Sequence, residues 1–519
     1  MFFSIDSFAL SGIDAVKINI EINISNGLPT FSIVGLPDKS INEAKERVRA
    51  SIINSGFKFP HKKIIINLSP ADIKKEGPCY DLPIALCILA LSGQLRHDYL
   101  GKSGFIGELS LNGVLNPIKG ILSMTERALL AGKEYFFIPS SNFDEASMIK
   151  GIKIIPCDNL LQCVSLLEKE KESVRYYNEM IIIKDKKREL HSDRKPDSEM
   201  ADFKEISGQL RAKRAMEIAV SGFHNILLVG PPGSGKSMLA KRALSIMPEL
   251  DFNESIEVTK IYSIYKKSIK NLITERPFRN PHHSVSLAGM IGGGSCIRPG
   301  EISLADRGIL FLDEFSEFSR KIIESLRQPV EDKKIVLTRN GNSFRLPCFF
   351  MLVIAMNPCY CGFFKDKEIR CRCSVREIEK YWRKISGPMI DRIDIQVSMP
   401  REKIGDDYEK NAEDSETIRS RVRDVFDIQK NRNNYFDFDF NSGANSAALN
   451  EWVRKDFLKK MIAGYARKLN LSARQISSLV KVSRTIADME NSEEIKEEHI
   501  TEALQYKIML SKNYLSANI

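Results

Sequence analysis

The chain has 519 residues, a formal net charge of +10, 43% hydrophobic and 28% charged residues, so it is too long for one hydrophobic core and ordinary for a globular protein. No apolar run reaches the roughly eighteen residues of a membrane span, and Met1 to Ala9 lacks the basic flank, apolar stretch and cleavage site of a secretory signal. The sequence therefore argues against a membrane protein and predicts a modular cytoplasmic one whose ten cysteines are reduced thiols or metal ligands.

Val16, Ile18, Ile20, Ile22 and Ile24 alternate with polar residues, the period of a half-buried strand. A helical stretch at Ile41 to Asn54, a strand at Ile64 to Leu68, a helix near Leu82 to Leu91 and further strand-like pieces to Pro139 predict an α+β domain over residues 1–167. Residues 168–201 are crowded with charge around one apolar patch, Met180 to Ile183, and read as a solvated connector. From Asp202 strands alternate with helices, the mark of a parallel sheet covered on both faces, over residues 202–400. Residues 401–519 read as helical, with segments at Glu416 to Asn431, Ser446 to Leu469, Ser472 to Glu490 and Ile495 to Leu510. The fold class is an α/β P-loop core with a helical lid, preceded by the α+β domain.

Ile226 to Val229 reads as a buried strand that runs into Gly230, Pro231, Pro232, Gly233, Ser234, Gly235, Lys236 and Ser237, with a helix following. Strand, glycine loop and helix form a P-loop: backbone N–H groups and the helix N-terminus surround phosphate oxygens. Lys236 would reach the β- and γ-phosphates of ATP and Ser237 would ligate Mg2+. A second buried strand, Gly308 to Leu312, delivers Asp313 for the magnesium shell and Glu314 to polarise water, although such a pair can also cap a helix. A third apolar strand, Phe349 to Met356, ends at Asn357, whose amide could orient that water.

Lys334 to Pro347 reads as a β-hairpin around Asn340-Gly341, with Arg339 at the tip and Lys333, Lys334 and Arg345 near the base. Positive charge there could meet a phosphate backbone, or be an exposed charged hairpin without a ligand. No groove-reading helix is evident, so any DNA binding would be independent of sequence. Cys359, Cys361, Cys371 and Cys373 form two C-x-C pairs nine residues apart, which suits either a structural Zn2+ or free thiols.

These motifs, with Phe278-Arg-Asn-Pro-His-His283, Gly292-Gly-Gly-Ser295, Arg298-Pro-Gly-Glu301, Asn357-Pro-Cys-Tyr-Cys-Gly362, Gly35-Leu-Pro37 and Asp81-Leu-Pro-Ile-Ala85, resemble the magnesium-chelatase-like AAA+ proteins of the ComM/YifB family over nearly the whole chain. The resemblance implies a cytoplasmic homohexameric ring driven by ATP and Mg2+ that acts on single-stranded or branched DNA, as a helicase-like branch-migration motor in natural transformation. By the same resemblance Asn357 would be sensor 1, Arg392 a finger in the neighbouring subunit's site, and Arg474 the sensor 2 contact. The hairpin and the glycine-rich insert with Arg298 would face the pore. The magnesium chelatase ATPase subunit is a relative, which leaves a remodeller of a protein or chelatase-like complex as the alternative. The first domain resembles the ribosomal S5 domain 2-like fold of Lon protease. Cys79 stands where that family has serine and Leu122 where it has lysine, which implies a non-catalytic domain.

Overall fold

The computed structural model describes residues 2–71, 75, 77–96, 100–189, 202–265, 269–294, 298–339, 342–385, 387–401, 413–436 and 438–507. The expected turn at Asn340-Gly341 and residues 295–297 of the glycine-rich stretch lie outside the described residues, and of Arg339 only the backbone is described.

The first part of the chain builds a seven-stranded mixed sheet. Strands β1 (Phe2–Ser11), β2 (Asp14–Ser25), β3 (Thr30–Val34), β4 (Lys63–Ser69), β5 (Ser103–Phe105), β6 (Tyr135–Pro139) and β7 (Lys153–Cys157) lie in the order β3-β4-β2-β1-β5-β6-β7. In β2 the alternation seen in sequence buries Ile18, Ile20, Ile22 and Ile24. The helix Asp81–Leu91 is apolar on every side, and all but its last residue are buried, as a helix covering that sheet must be.

The charged connector is a correction. Glu170–Glu189 is a helix, and Val174, Tyr176, Tyr177, Met180 and Ile181 pack against the first core. Lys184 Nζ donates to the carbonyl of Asp144 at 2.9 Å. The sparse apolar residues fall on one helical face, and the surrounding charge masks that stripe in a composition reading.

The second sheet is wholly parallel. Strands β8 (Ile226–Val229), β9 (Phe278–Arg279), β10 (Ile309–Leu312), β13 (Met351–Met356) and β14 (Ile395–Ser398) lie in the order β9-β10-β13-β8-β14. Between β10 and β13 the chain forms an antiparallel hairpin of β11 (Lys334–Arg339) and β12 (Asn342–Pro347). Alternate residues of the sheet enter two separate cores. Leu228, Phe311 and Val353 face the helix Leu210–Gly222 and the C-terminal helices, while Val229, Leu312 and Ile354 face the opposite side. Burial on both faces explains why these strands read as continuous apolar runs.

Beyond residue 412 the longer described elements are helices: Ser415–Asn433, Ser446–Trp452, Asp456–Leu469, Ala473–Met489 and Glu497–Gln505. The single helix expected over Ser446 to Leu469 is interrupted, because Lys455 is extended (φ −70°, ψ 126°) and pairs with Glu494. Helix Ala473–Met489 packs on Leu210–Gly222, and His224, wholly buried, spans the contact between Thr485 Oγ1 at 2.8 Å and Asp394 at 3.3 Å. The first domain meets the second where helix Phe252–Tyr265 packs on helix Ile121–Leu130. There the Glu145 carboxyl accepts from Ser263 Oγ and from the Ile269 N–H at 3.3 Å, and burial pushes its pKa up to about 7.

Candidate nucleotide site

The register places the functional loops at one edge. Val229 pairs with Met356 on one side and Ser398 on the other, and Leu312 pairs with Ile354. Gly230, Asp313 and Asn357, each the next residue after its strand, therefore emerge at the same carboxyl end, where parallel sheets bind ligands. Gly230 has no room for a side chain, since a Cβ would lie 2.2 Å from the carbonyl oxygen of Met399. Gly233 (φ +78°) and Gly235 (φ +86°) take left-handed conformations with open space beside them, and Gly235 caps helix Lys236–Arg242.

Lys236 is buried inside this loop. Its ammonium donates to the carbonyls of Gly230 at 2.8 Å and Pro231 at 2.9 Å and lies 3.4 Å from Asn357 Oδ1. Desolvation lowers its pKa to about 8, against the pull of Asp313. A cation held on its own loop carbonyls in a partly dry cleft is a counter-charge for an anion. Ser237 Oγ donates to Asp313 Oδ2 at 2.6 Å, and the two oxygens lie where one hard cation would hold both. The donor set fits Mg2+: an alcohol and a carboxylate beside a phosphate cradle. Glu314 takes a left-handed conformation (φ 50°), and its largely exposed carboxylate lies 3.8 Å from His283 Nδ1. His283 enters the site by contact alone; the Phe278-Arg-Asn-Pro-His-His283 motif held it without a role.

Asn357 is fixed from behind. Tyr381 Oη donates to its carbonyl at 3.0 Å, and Trp382 Nε1 donates to the carbonyl of Pro358 at 3.1 Å. The cysteine loop follows at once. Sulfurs of Cys359, Cys361 and Cys371 lie 3.3, 3.7 and 3.5 Å apart, and all four, with Cys373, fall within 4.8 Å. With Zn–S near 2.3 Å, a tetrahedron has an edge of roughly 3.8 Å, so the group fits an ion of that size held by four thiolates. Partial burial raises the Cys361 thiol, yet the N–H groups of Arg372 and Phe363 bring it down to about 6. Gly362 (φ +84°) touches the P-loop, since a Cβ there would lie 2.7 Å from Cδ of Pro232.

The two arginines lie elsewhere. Arg392 pairs with Glu331 and donates to the carbonyl of Pro388 at 2.6 Å, and Arg474 Nη2 meets the other oxygen of Glu331 at 2.8 Å. Among the described residues neither arginine has a hydrogen bond or ion pair to the P-loop of its own chain.

Of the hairpin cations, Lys334 and Arg345 are exposed, as is Arg298, which pairs with Gly293. Lys333 does not belong with them. Its φ of 55° turns it inward, its ammonium lies over the Phe349 ring at 5.2 Å, and burial lowers its pKa to about 8. In the first domain, burial pushes the Cys79 thiol up to about 12, and Leu122 is wholly buried. A thiol so placed stays protonated and inert. No described helix is long and apolar enough to cross a membrane.

Known proteins align along nearly the whole chain. The family profile "Magnesium chelatase, subunit ChlI" matches residues 202–406, "Subunit ChlI of Mg-chelatase" matches 20–142 and "Magnesium chelatase, subunit ChlI C-terminal" matches 412–507. "Competence protein ComM" of Haemophilus influenzae is 38% identical over 515 residues, 97% of each chain. "Uncharacterized protein YifB" of Escherichia coli is 37% identical over 503 residues, 96% of each. The "Magnesium-chelatase 38 kDa subunit" of Rhodobacter capsulatus is 25% identical over 174 residues, 30% of this chain and 50% of that protein.

Proposed function

The chain belongs to the ComM/YifB family of magnesium-chelatase-like AAA+ ATPases, and from that premise we propose that it is a ring motor that spends ATP on moving single-stranded or branched DNA, independent of sequence. The observation that carries the ATPase half is the convergence of Lys236, Ser237, Asp313 and Asn357 at one sheet edge. Lys236 meets the β- and γ-phosphates, Ser237 and Asp313 hold Mg2+, Glu314 polarises the attacking water and Asn357 orients it. Arg392 and Arg474 act on the nucleotide of a neighbouring subunit. Their separation from their own P-loop supports this assignment, and a site completed by a neighbour requires head-to-tail assembly, which we read as a closed hexameric ring.

The DNA half rests on the exposed cations Arg298, Lys334 and Arg345, with Arg339 at the hairpin tip, and on the likeness to a protein named for competence. Zn2+ in the Cys359, Cys361, Cys371, Cys373 cage would hold the loop that braces Asn357 and Pro232. Residues 1–167 are a non-catalytic S5-like domain and the C-terminal helices a lid. The likeness to a magnesium chelatase subunit favours a second reading, a remodeller of a protein or chelatase-like complex. A four-way branch-migration assay decides between them: ATP-dependent strand exchange with DNA-stimulated hydrolysis is expected, and ATP hydrolysis indifferent to DNA would transfer the protein to the remodellers.

A further inference from the structure

Glu331 lies in the short helix Arg327–Asp332, three residues before β11 begins. Its two carboxylate oxygens are divided between arginines from distant parts of the chain: Oε2 takes Arg392 and Oε1 takes Arg474 at 2.8 Å. One carboxylate balances only one of two guanidinium charges, so the trio retains positive charge and suits a further anion. The two arginines are also tied to each other. Asp391, beside Arg392, accepts from Gln475 Nε2 at 3.0 Å and lies 3.4 Å from Ser472 Oγ, at the start of the helix that carries Arg474.

The same short helix is joined to the hairpin. Lys333 N–H donates to the Pro329 carbonyl at 3.1 Å, the Lys333 carbonyl accepts from Cys348 N–H at 3.1 Å, and the Lys333 ammonium rests on Phe349. A shift of Arg327–Asp332 therefore passes directly to the base of the Lys334–Pro347 hairpin. Partial burial raises the Glu331 carboxyl, but Arg392 and then Arg474 hold it below the usual carboxylate range, so it stays ionised at neutral pH. With Glu331 46% and Arg474 52% exposed, the latter pair is weak, and a triphosphate, which arginine binds bidentately, can displace it.

We infer that Glu331 is a positioning residue that couples the nucleotide of one subunit to the DNA hairpin of the next. It holds Arg392 and Arg474 until a neighbour presents a triphosphate, and their departure releases the helix that carries the hairpin. The inference rests on the proposed function, since it takes the arginines to act in trans and the hairpin to meet DNA.

The test is Glu331→Gln in the full-length protein, which keeps shape and removes charge. Freed arginines should lower the KM for ATP by about fivefold with basal kcat within about twofold, and stimulation of hydrolysis by single-stranded DNA should fall about tenfold or more. Glu331→Asp, whose shorter reach spans only one arginine, should give an intermediate loss of stimulation at unchanged melting temperature. Basal kcat, KM and stimulation all equal to wild type would overturn the inference, as would a fall in basal kcat that parallels the melting temperature in both variants. Wild-type protein unstimulated by DNA would sink the DNA reading instead, and the KM split would still decide whether Glu331 restrains the arginines.

Discussion

Ser237 and Asp313, separated by 76 positions in the chain, meet through a 2.6 Å hydrogen bond across the mouth of the P-loop. The contact places the hydroxyl and the carboxylate at the spacing of adjacent ligands of one small cation. Asp313→Asn keeps the bond but removes the charge offered to Mg2+, so kcat should fall by about a hundredfold or more with the fold intact. Phosphate release across a magnesium titration checks this, and wild-type turnover in Asp313→Asn would remove the assignment.

Lys236 makes ATP binding sensitive to pH. Its free-state pKa is drawn down to about 8 by desolvation, and a bound triphosphate raises it again. Binding therefore takes up a proton above about pH 8, and affinity should weaken by up to about tenfold per pH unit until the bound-state pKa is passed. The sign for stability is opposite. In the free protein the native state gives up this proton before the unfolded chain does, so stability gains from Lys236 as pH rises from about 8 towards the ordinary lysine value. Fluorescent-nucleotide titrations between about pH 7 and pH 9.5 should show the slope, and Lys236→Arg should flatten it.

The P-loop, Asp313 and Asn357 are legible in the sequence because each is a chemical demand written into a few adjacent residues after an apolar strand. Glu331 is not. It lies 61 positions from Arg392 and 143 from Arg474, and nothing local marks a glutamate as the shared partner of two arginines. Lys333 misleads for a related reason: its charge is visible in sequence, whereas the left-handed turn that lays it on Phe349 is not. The helix Glu170–Glu189 is hidden because its apolar stripe is thin and interrupted by charge, and only the neighbouring sheet makes it worth forming.

The cysteine loop should affect nucleotide binding as well as stability. Gly362 combines φ +84° with a projected Cβ 2.7 Å from Pro232, so Gly362→Ala must strain its own turn or push the P-loop. An ATP affinity lower by about tenfold is expected. Elemental analysis should find one zinc per chain in the wild type, lost together with thermal stability in a Cys361→Ser, Cys371→Ser double variant. Protein free of metal with normal ATP binding would leave the four sulfurs as thiols.

Mixing experiments test the trans assignment of Arg392. Arg392→Ala alone should still bind ATP, within about fivefold of the wild-type affinity, and lose about a thousandfold in kcat, the scale of an arginine that stabilises phosphoryl-transfer charge. Lys236→Ala alone should not hydrolyse at all. A ring assembled from both contains interfaces where an intact P-loop faces an intact Arg392, so mixing two inactive proteins should restore activity in proportion to those interfaces. An arginine serving its own chain could not be rescued this way, because in each parent one of the two groups is missing from every subunit. Absence of rescue in mixed rings of verified composition would remove the trans assignment and return Arg392 to its own chain, where it pairs with Glu331.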